Sequence, residues 1–213
     1  MEFIGHMAIP ELEAPESMQP HIRKVLTGEY ASSYFSLLPD NFLAIDIGAN
    51  VGAFSYWLLH NCPECRVVCY EPLPDNFALL QRNLQPFLGR VKMVNVAVGS
   101  EAGSRELFLG RNNCGENSFY QLGEQREESI TVKVEDPDHI PRPAHILKID
   151  TEGSEIDILR GLPLLEFKFI LLEYHSEHDR REIDYLLNGF SLIGSDSCRM
   201  GRGVVKYMRD GDG

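Results

Sequence analysis

The chain has 213 residues, with 20 Lys and Arg against 32 Asp and Glu, a formal net charge of −12. That length suits one domain of about 100–200 residues, and a 43% hydrophobic content supplies a core, which excludes a wholly disordered chain. The acidic balance argues against a general nucleic-acid-coating protein, which needs clustered Lys and Arg, and no apolar run approaches the roughly 18 residues of a membrane helix.

No basic-then-apolar leader opens the chain. Five cysteines, an odd number, make a poor disulfide framework. These features point to a reduced, cytoplasmic protein that binds neither nucleic acid nor membrane. Gly5-His6-Met7 resembles a cloning scar, so residues 1–7 are set aside from the fold. Residues 1–41 are assigned to tag, lead-in and an N-terminal helical segment, and residues 42–213 to one domain.

Along the chain, residues 8–20 read as an irregular, proline-bearing lead-in. Residues 21–38 carry Ile22, Val25, Leu26, Tyr30, Tyr34 and Leu37 at three- and four-residue spacing, a short helix or two broken at Gly28. Pro39-Asp40-Asn41 ends it. Phe42 to Ile47 is a continuous apolar run broken only by Asp46, the mark of a strand covered on both faces. A glycine turn follows, then Phe54, Trp57 and Leu58 at helical spacing. Arg66 to Glu71 is the next strand. Residues 75–88 form a helix with Phe77, Leu80 and Leu84 on one face and Asp75 as its cap. Residues 91–98 form a third strand.

Strand and helix alternating with short links predict an α/β fold with a parallel sheet and right-handed crossovers. Ile146 to Asp150 and Phe169 to Glu173 repeat the buried-strand pattern, separated by a helix over 154–162 that Gly161 closes. A helix over 179–188 and strands at 190–194 and 203–208 complete the domain. Residues 104–134 break the alternation. They read as a small inserted antiparallel β element, too small for a core of its own.

The sharpest motif is Asp46-Ile47-Gly48-Ala49-Asn50-Val51-Gly52. A strand-end acid is followed by two glycines that permit a tight turn and close backbone approach at the carboxyl edge of a parallel sheet, where α/β proteins bind ligands. The spacing is G-x-x-x-G, with Asn at position 50. It is neither the dinucleotide G-x-G-x-x-G nor a phosphate-binding loop followed by Lys-Ser or Lys-Thr. Glu71 ends the next strand, where a carboxylate can accept both ribose hydroxyls of an adenosine. Together the two features predict an adenosine-containing cofactor.

Four stretches in order resemble the class I S-adenosylmethionine-dependent methyltransferases, and within them the FkbM family. They are Asp46 to Gly52, Glu71-Pro72-Leu73-Pro74-Asp75-Asn76, Asn95-Val96-Ala97-Val98-Gly99, and Leu147-Lys148-Ile149-Asp150-Thr151-Glu152-Gly153-Ser154-Glu155. The resemblance covers about residues 42–195. It implies a Rossmann-like seven-stranded sheet ordered 3-2-1-4-5-7-6 with helices on both faces and only the last-numbered strand antiparallel. It also implies S-adenosyl-L-methionine as cofactor and methyl transfer, usually to a hydroxyl oxygen. The family often has a Leu-Asp pair before the fourth sheet strand. Here Val134-Glu135-Asp136-Pro137-Asp138 stands instead, so no role is carried over to that position.

On this reading Gly48 and Gly52 let backbone approach the amino-acid part of the cofactor. Asp46 orients that part, Asn50 belongs to the same loop, Glu71 takes the ribose, and Asn95 and Ala97 lie against adenine. Asp150, Glu152, Glu173 and His175 follow two adjacent strands and are the catalytic candidates, with Asp150 also near the cofactor. His175, whose ordinary pKa lies near 6.5, is the best general-base candidate. Glu152 and Ser154 serve equally well as caps of the next helix, and Glu155 as a solvated acid. Carboxylates at this spacing would also suit a divalent cation. A helix start explains them as well, and no metal is assigned. Asn117 and Ser118 resemble a family position facing the pocket. Cys62-Pro63-Glu64-Cys65 lacks a second ligand pair for zinc and is read as coincidence. His21, His60, His139 and His145 show no ligand spacing.

The expected acceptor is a small molecule or carbohydrate. Oligomeric state is left open, a homodimer included. Two alternatives are an NAD-dependent oxidoreductase, which the G-x-x-x-G spacing disfavours, and a non-catalytic cofactor-binding module. A module would need neither Asp150 nor Glu173.

Overall fold

The computed structural model describes residues 11–109 and 128–211. In chain order the elements are α1 (Gln19–Leu26), β1 (Leu43–Ile47), α2 (Ala53–Asn61), β2 (Arg66–Tyr70), α3 (Pro74–Asn83), β3 (Val91–Val94), β4 (Ala97–Val98), β5 (Gly103–Phe108), β6 (Ser129–Glu135), β7 (Ile146–Ile149), α4 (Glu155–Gly161), β8 (Phe169–Tyr174), α5 (Glu177–Leu186), β9 (Phe190–Arg199) and β10 (Arg202–Arg209). A short 3-10 turn at Ser33–Leu37 precedes β1.

Seven strands form the main sheet in the order β3-β2-β1-β7-β8-β10-β9. Numbered among themselves in chain order, they run 3-2-1-4-5-7-6, and only β10 opposes its neighbours β8 and β9. This is the expected architecture. The pairings β1–β2, β1–β7, β2–β3 and β7–β8 are all parallel. Side chains alternate across the strands. Ala44, Cys69, Ile146, Phe169 and Leu171 pack on the face covered by α1, α2 and α3, with Ile22, Val25, Phe54, Leu58 and Leu80. Ile45, Ile47, Leu147, Ile149, Ile170 and Leu172 pack on the other face against Ile158 and Leu159 of α4 and Ile183 of α5.

The insertion is a three-stranded sheet, β4-β6-β5. Its β5–β6 hairpin is antiparallel, as expected, but β4 joins β6 in parallel. The third main-sheet strand therefore ends at Val94 rather than continuing to Val98. At Asn95 the side-chain amide donates to the backbone carbonyls of Glu71 and Pro72. The chain then leaves the main sheet, and Ala97 enters the small core with Leu73, Leu107, Val132 and Val134.

The cap of α3 differs from expectation. Leu73 is the N-cap of α3 and Pro74 opens the helix, as suits a proline whose missing N–H is not needed there. Asp75 sits in the first turn instead. At α4 Ser154 is the N-cap, as one of the two candidates expected, but its side chain makes no capping bond. The Glu155 carboxylate turns back and accepts from the N–H groups of Thr151 and Gly153. Ser176 caps α5 through a bond from the Asp179 N–H. Among the described residues no helix is long and apolar enough to cross a membrane.

Candidate active site

The carboxyl ends of β1, β2, β7 and β8 converge on one edge of the sheet, and the loops that follow them build the site. After β1 the N–H groups of Gly48 and Ala49 both donate to the Tyr70 carbonyl at 3.0 Å, which turns the chain sharply. Gly48 has φ +74°, and a Cβ there would lie 1.8 Å from the Asp150 carbonyl oxygen. Glycine is required because the loop after β7 crosses at that point. Asn50 adopts φ +53°, a left-handed conformation that asparagine tolerates better than most residues. It does the conformational work of the missing middle glycine. Gly52, at φ +90°, is the N-cap of α2, and a Cβ there would meet Leu80 Cδ1 at 2.7 Å. Its demand comes from packing on α3.

Glu71 follows β2 and is 5% exposed. Its Oε2 accepts from the Asn50 N–H at 2.8 Å and its Oε1 from the Leu73 N–H at 2.9 Å. Burial pushes its carboxyl up to about 7, against the pull of these two bonds. Asn95 secures the same turn by donating to the Glu71 carbonyl at 2.8 Å. The structure therefore brings Gly48, Asn50, Glu71 and Asn95 together. Ala97 lies one short strand further on, 4% exposed in the small core.

Asp46 is wholly buried. Its Oδ2 accepts from the Ser55 hydroxyl at 2.6 Å, and its Oδ1 lies 3.1 Å from Lys148 Nζ. The carboxylate serves these neighbours rather than presenting itself to a ligand. Lys148 and Tyr30 also stand at the site, beside Asp150, and motif reasoning gave neither a place there. The Lys148 ammonium donates to the Gly48 carbonyl at 2.8 Å and stands 3.5 Å from Asp150 Oδ2. The Tyr30 hydroxyl donates to the same oxygen at 3.2 Å. A lone charge inside the buried strand Ile146–Ile149 was a signal for Lys148. Tyr30 offered none.

Asp150, Glu152 and Glu173 each bring a carboxylate oxygen within 4.8 Å of the others. Burial raises the Asp150 carboxyl, but the attraction of Lys148, then of His21, outweighs it and holds the group down at about 2. Glu173 is pushed up to about 9 by burial and by the negative charge of Asp150, to which it hydrogen-bonds. Burial and the Asp150 charge likewise lift Glu152 to about 7. The two carboxyls in contact share a proton, and Lys148 beside Asp150 favours its residing on Glu173. Glu152 carries φ +56°, a strained conformation of the kind that gathers at functional sites.

His175 lies between acids, with Nδ1 3.7 Å from Glu152 and Nε2 3.6 Å from Glu155. Burial lowers its affinity for a proton, yet Glu155 and Glu152 more than restore it, to about 9. It is an imidazolium at neutral pH, which works against the general-base role expected of it. Asn117 and Ser118 lie outside the described residues.

His21, Ile22 and Val25 of α1 face the Gly48–Val51 loop across a small, half-open pocket, with Lys148 and Asp150 at its wall. Asn50 lines this pocket too. Its Oδ1 is buried without a hydrogen-bond partner among the described residues. His21, which shows no ligand spacing in the sequence, lines this pocket. Cys62 and Cys65 are buried free thiols at the opposite, amino end of β2.

A model of the methyltransferase FkbM domain matches residues 46–209. Among curated proteins, the methyltransferase sdnD of Sordaria araneosa is 27% identical over 160 residues, 59% of this chain and 62% of that protein. This chain thus spans about three fifths of that relative's length. The crystal structure of methyltransferase FkbM from Methylobacillus flagellatus superposes with a TM-score of 0.60 at 18% identity, covering 86% of this chain and 48% of that one. TrmK of M. capricolum, solved with S-adenosyl-homocysteine, has a TM-score of 0.53 at 6% identity, covering 89% and 68%. The family match begins near the end of β1 and runs through the rest of the domain to β10, and the chain belongs to the FkbM methyltransferase domain family.

Proposed function

We propose that this chain binds S-adenosyl-L-methionine and transfers its methyl group to a hydroxyl oxygen of a small molecule or carbohydrate, in the cytoplasm. The observation that carries the reading is Glu71. It is a buried carboxylate at the end of β2, locked by two backbone N–H groups beside the Gly48–Gly52 loop. That is the place and chemistry for a ribose diol. The residues present fit such a cofactor. Asn50 Oδ1 awaits a donor, and the Asp150 carboxylate stands at the pocket wall for a cationic end. The neighbour that holds S-adenosyl-homocysteine on the same fold supports it further.

When bound, S-adenosylmethionine supplies an already activated methyl group on a sulfonium. The chain has three tasks: to hold the donor, to align the acceptor, and to receive a proton. Glu71 accepts from ribose, and the Gly48–Val51 loop with α1 encloses the amino-acid end. Asp150, kept ionised by Lys148, accepts a hydrogen bond from the acceptor hydroxyl or from the cofactor's ammonium. Glu173, protonated, donates to Asp150 and fixes its orientation. The His175 imidazolium offsets the charge of Glu152 and Glu155.

Calorimetry with S-adenosylmethionine, S-adenosylhomocysteine and NAD tests the reading. Binding of the first two, with NAD much weaker, is the expected result. Preferential binding of NAD would overturn it.

A further inference from the structure

Lys148 belongs to none of the roles assigned above from motifs, yet it touches both halves of the site. The register of β1 and β7 sets it directly beside Asp46, and that of β7 and β8 beside Leu171. The sheet face around it is otherwise apolar, with Ala44, Ile146 and Phe169. An ammonium 3% exposed in such surroundings needs a counter-charge, because an unpaired buried charge is strongly destabilising. Asp46 provides it. Replacing a buried ion pair by apolar groups of similar volume is often neutral or stabilising, so packing alone gives no reason for the pair.

The geometry supplies one. The ammonium has three N–H groups and three oxygen neighbours: the Gly48 carbonyl at 2.8 Å, Asp46 Oδ1 at 3.1 Å and Asp150 Oδ2 at 3.5 Å. Gly48 belongs to the loop after β1, and Asp150 to the loop after β7. Both border the same pocket. The Tyr30 hydroxyl donates to the same Asp150 Oδ2, and the Tyr30 ring lies 5.8 Å from the ammonium. A hydrogen-bond donor and a cation on one oxygen restrain the rotation of that carboxylate.

We infer that Lys148 is a positioning residue: with Asp46 as its counter-charge, it fixes the Asp150 carboxylate against the Gly48 carbonyl so that Asp150 meets the ammonium of the cofactor's amino-acid end. The inference rests on the S-adenosylmethionine reading and adds to it the residue that sets selectivity for the amino-acid end over the adenosine end.

The test compares two probes. S-Adenosylhomocysteine carries the amino-acid end, and 5′-methylthioadenosine lacks it. Calorimetry measures both on the parent and on the double variant Asp46→Asn/Lys148→Met, which removes both charges together, so that neither partner of the Asp46–Lys148 pair is left as an unpaired buried ion. The adenosine end is held by Glu71, which the double variant leaves in place. Methylthioadenosine affinity is therefore expected to stay within a few-fold of the parent. S-Adenosylhomocysteine affinity should fall by at least about tenfold, equivalent to 1.4 kcal/mol. A preserved ratio of the two affinities, or an equal loss of both, would make Lys148 only the counter-charge of Asp46 and would overturn the inference while the functional reading stands. A parent that binds neither probe would sink the functional reading and the inference with it. Lys148→Arg gives a second arm in case the double variant does not fold. It keeps Asp46 paired but replaces a compact point charge by a longer planar fork. The same collapse of the ratio is expected, and an unchanged ratio overturns the inference.

Discussion

The Asn50 N–H donates to Glu71 Oε2 across 2.8 Å, so the glycine loop after β1 and the acid after β2 form one unit. Asn50 holds φ +53° there, and this bond helps keep it in that sparsely populated conformation. Glu71→Ala is therefore expected to do more than delete a ligand contact. It removes charge-assisted bonds to ribose, at about 1.5–3 kcal/mol each, and also frees the loop. Calorimetry should show S-adenosylhomocysteine affinity lowered by roughly 100-fold or more, in a protein that circular dichroism shows to be folded. Unchanged affinity would mean that Glu71 only braces the turn.

Proton linkage gives a second expectation. Glu71 and Glu152 are held at about 7 and Glu173 at about 9, all above their ordinary 4.5. A carboxyl raised in this way binds more protons folded than unfolded. Its contribution is greatest below pH 4.5 and is lost as pH climbs to the folded value. His175, raised from 6.5 to about 9, works in the same direction: its stabilisation is present below pH 6.5 and lost as pH rises through 9. Asp150, lowered from 3.8 to about 2, acts only at the acid end, where its stabilisation disappears as pH falls. The Tm of the ligand-free protein should thus decline from about pH 5 to pH 9. Glu71→Gln should flatten the part between pH 4.5 and 7. A Tm that rises over this range, or an unaltered slope in the variant, would contradict the assignment.

The two motif glycines should respond differently to alanine. At Gly48 the new Cβ would stand 1.8 Å from a backbone oxygen, that of Asp150, and backbone cannot yield without separating the two loops. At Gly52 the nearest atom is the end of the Leu80 side chain, 2.7 Å away, which can rotate. Both positions have positive φ and pay about 1 kcal/mol for that alone. Gly48→Ala should lower Tm well beyond Gly52→Ala and abolish cofactor binding. Equal losses would show that conformation, not crowding, sets the requirement.

What the sequence revealed, and what it concealed, follows from how far apart the partners lie along the chain. Glu71 and its partners fall within a single β-α-β unit, so the strand-end acid and the glycine turn were legible together. The parallel α/β sheet followed from the alternation of elements, whereas the strand order came only from the resemblance to the methyltransferase family. Asp46 was legible as a strand-end acid, but its engagement with Lys148 depends on a β1–β7 register between residues far apart in the chain. Tyr30 meets Asp150 across a still longer separation, and no periodicity announces such a contact. His175 was a plausible base by type. Its charge state is set by Glu152 and Glu155, which only the folded loop brings beside it. The role of Glu155 was hidden because Glu152, Ser154 and Glu155 all suit a helix start, and only the folded loop shows that Ser154 is the N-cap while the Glu155 carboxylate braces the loop before it.

Proton movement supplies the last expectation. Among Asp150, Glu173 and His175, Asp150 is the group held ionised, by Lys148 beside it, while burial and the Asp150 charge favour a proton on Glu173 and the flanking acids favour one on His175. Of the three, only Asp150 can take a proton from an acceptor hydroxyl without first losing one of its own. With an authentic acceptor, Asp150→Asn should lower turnover by roughly 100- to 10,000-fold and also weaken S-adenosylhomocysteine binding through its ammonium. His175→Gln removes a cation but no proton acceptor, so its loss of turnover should be much smaller. Glu173→Gln keeps a donor to Asp150 and should be milder than Glu173→Ala, which leaves that oxygen without its partner. The order Asp150→Asn, then Glu173→Ala, then Glu173→Gln and His175→Gln is therefore the expected ranking of damage at pH 7. If His175→Gln proved the most damaging, with cofactor affinity intact and turnover in the parent falling as pH drops below about 6.5, the imidazole would be acting as the base in its neutral form, and the charge state assigned to it here would be wrong.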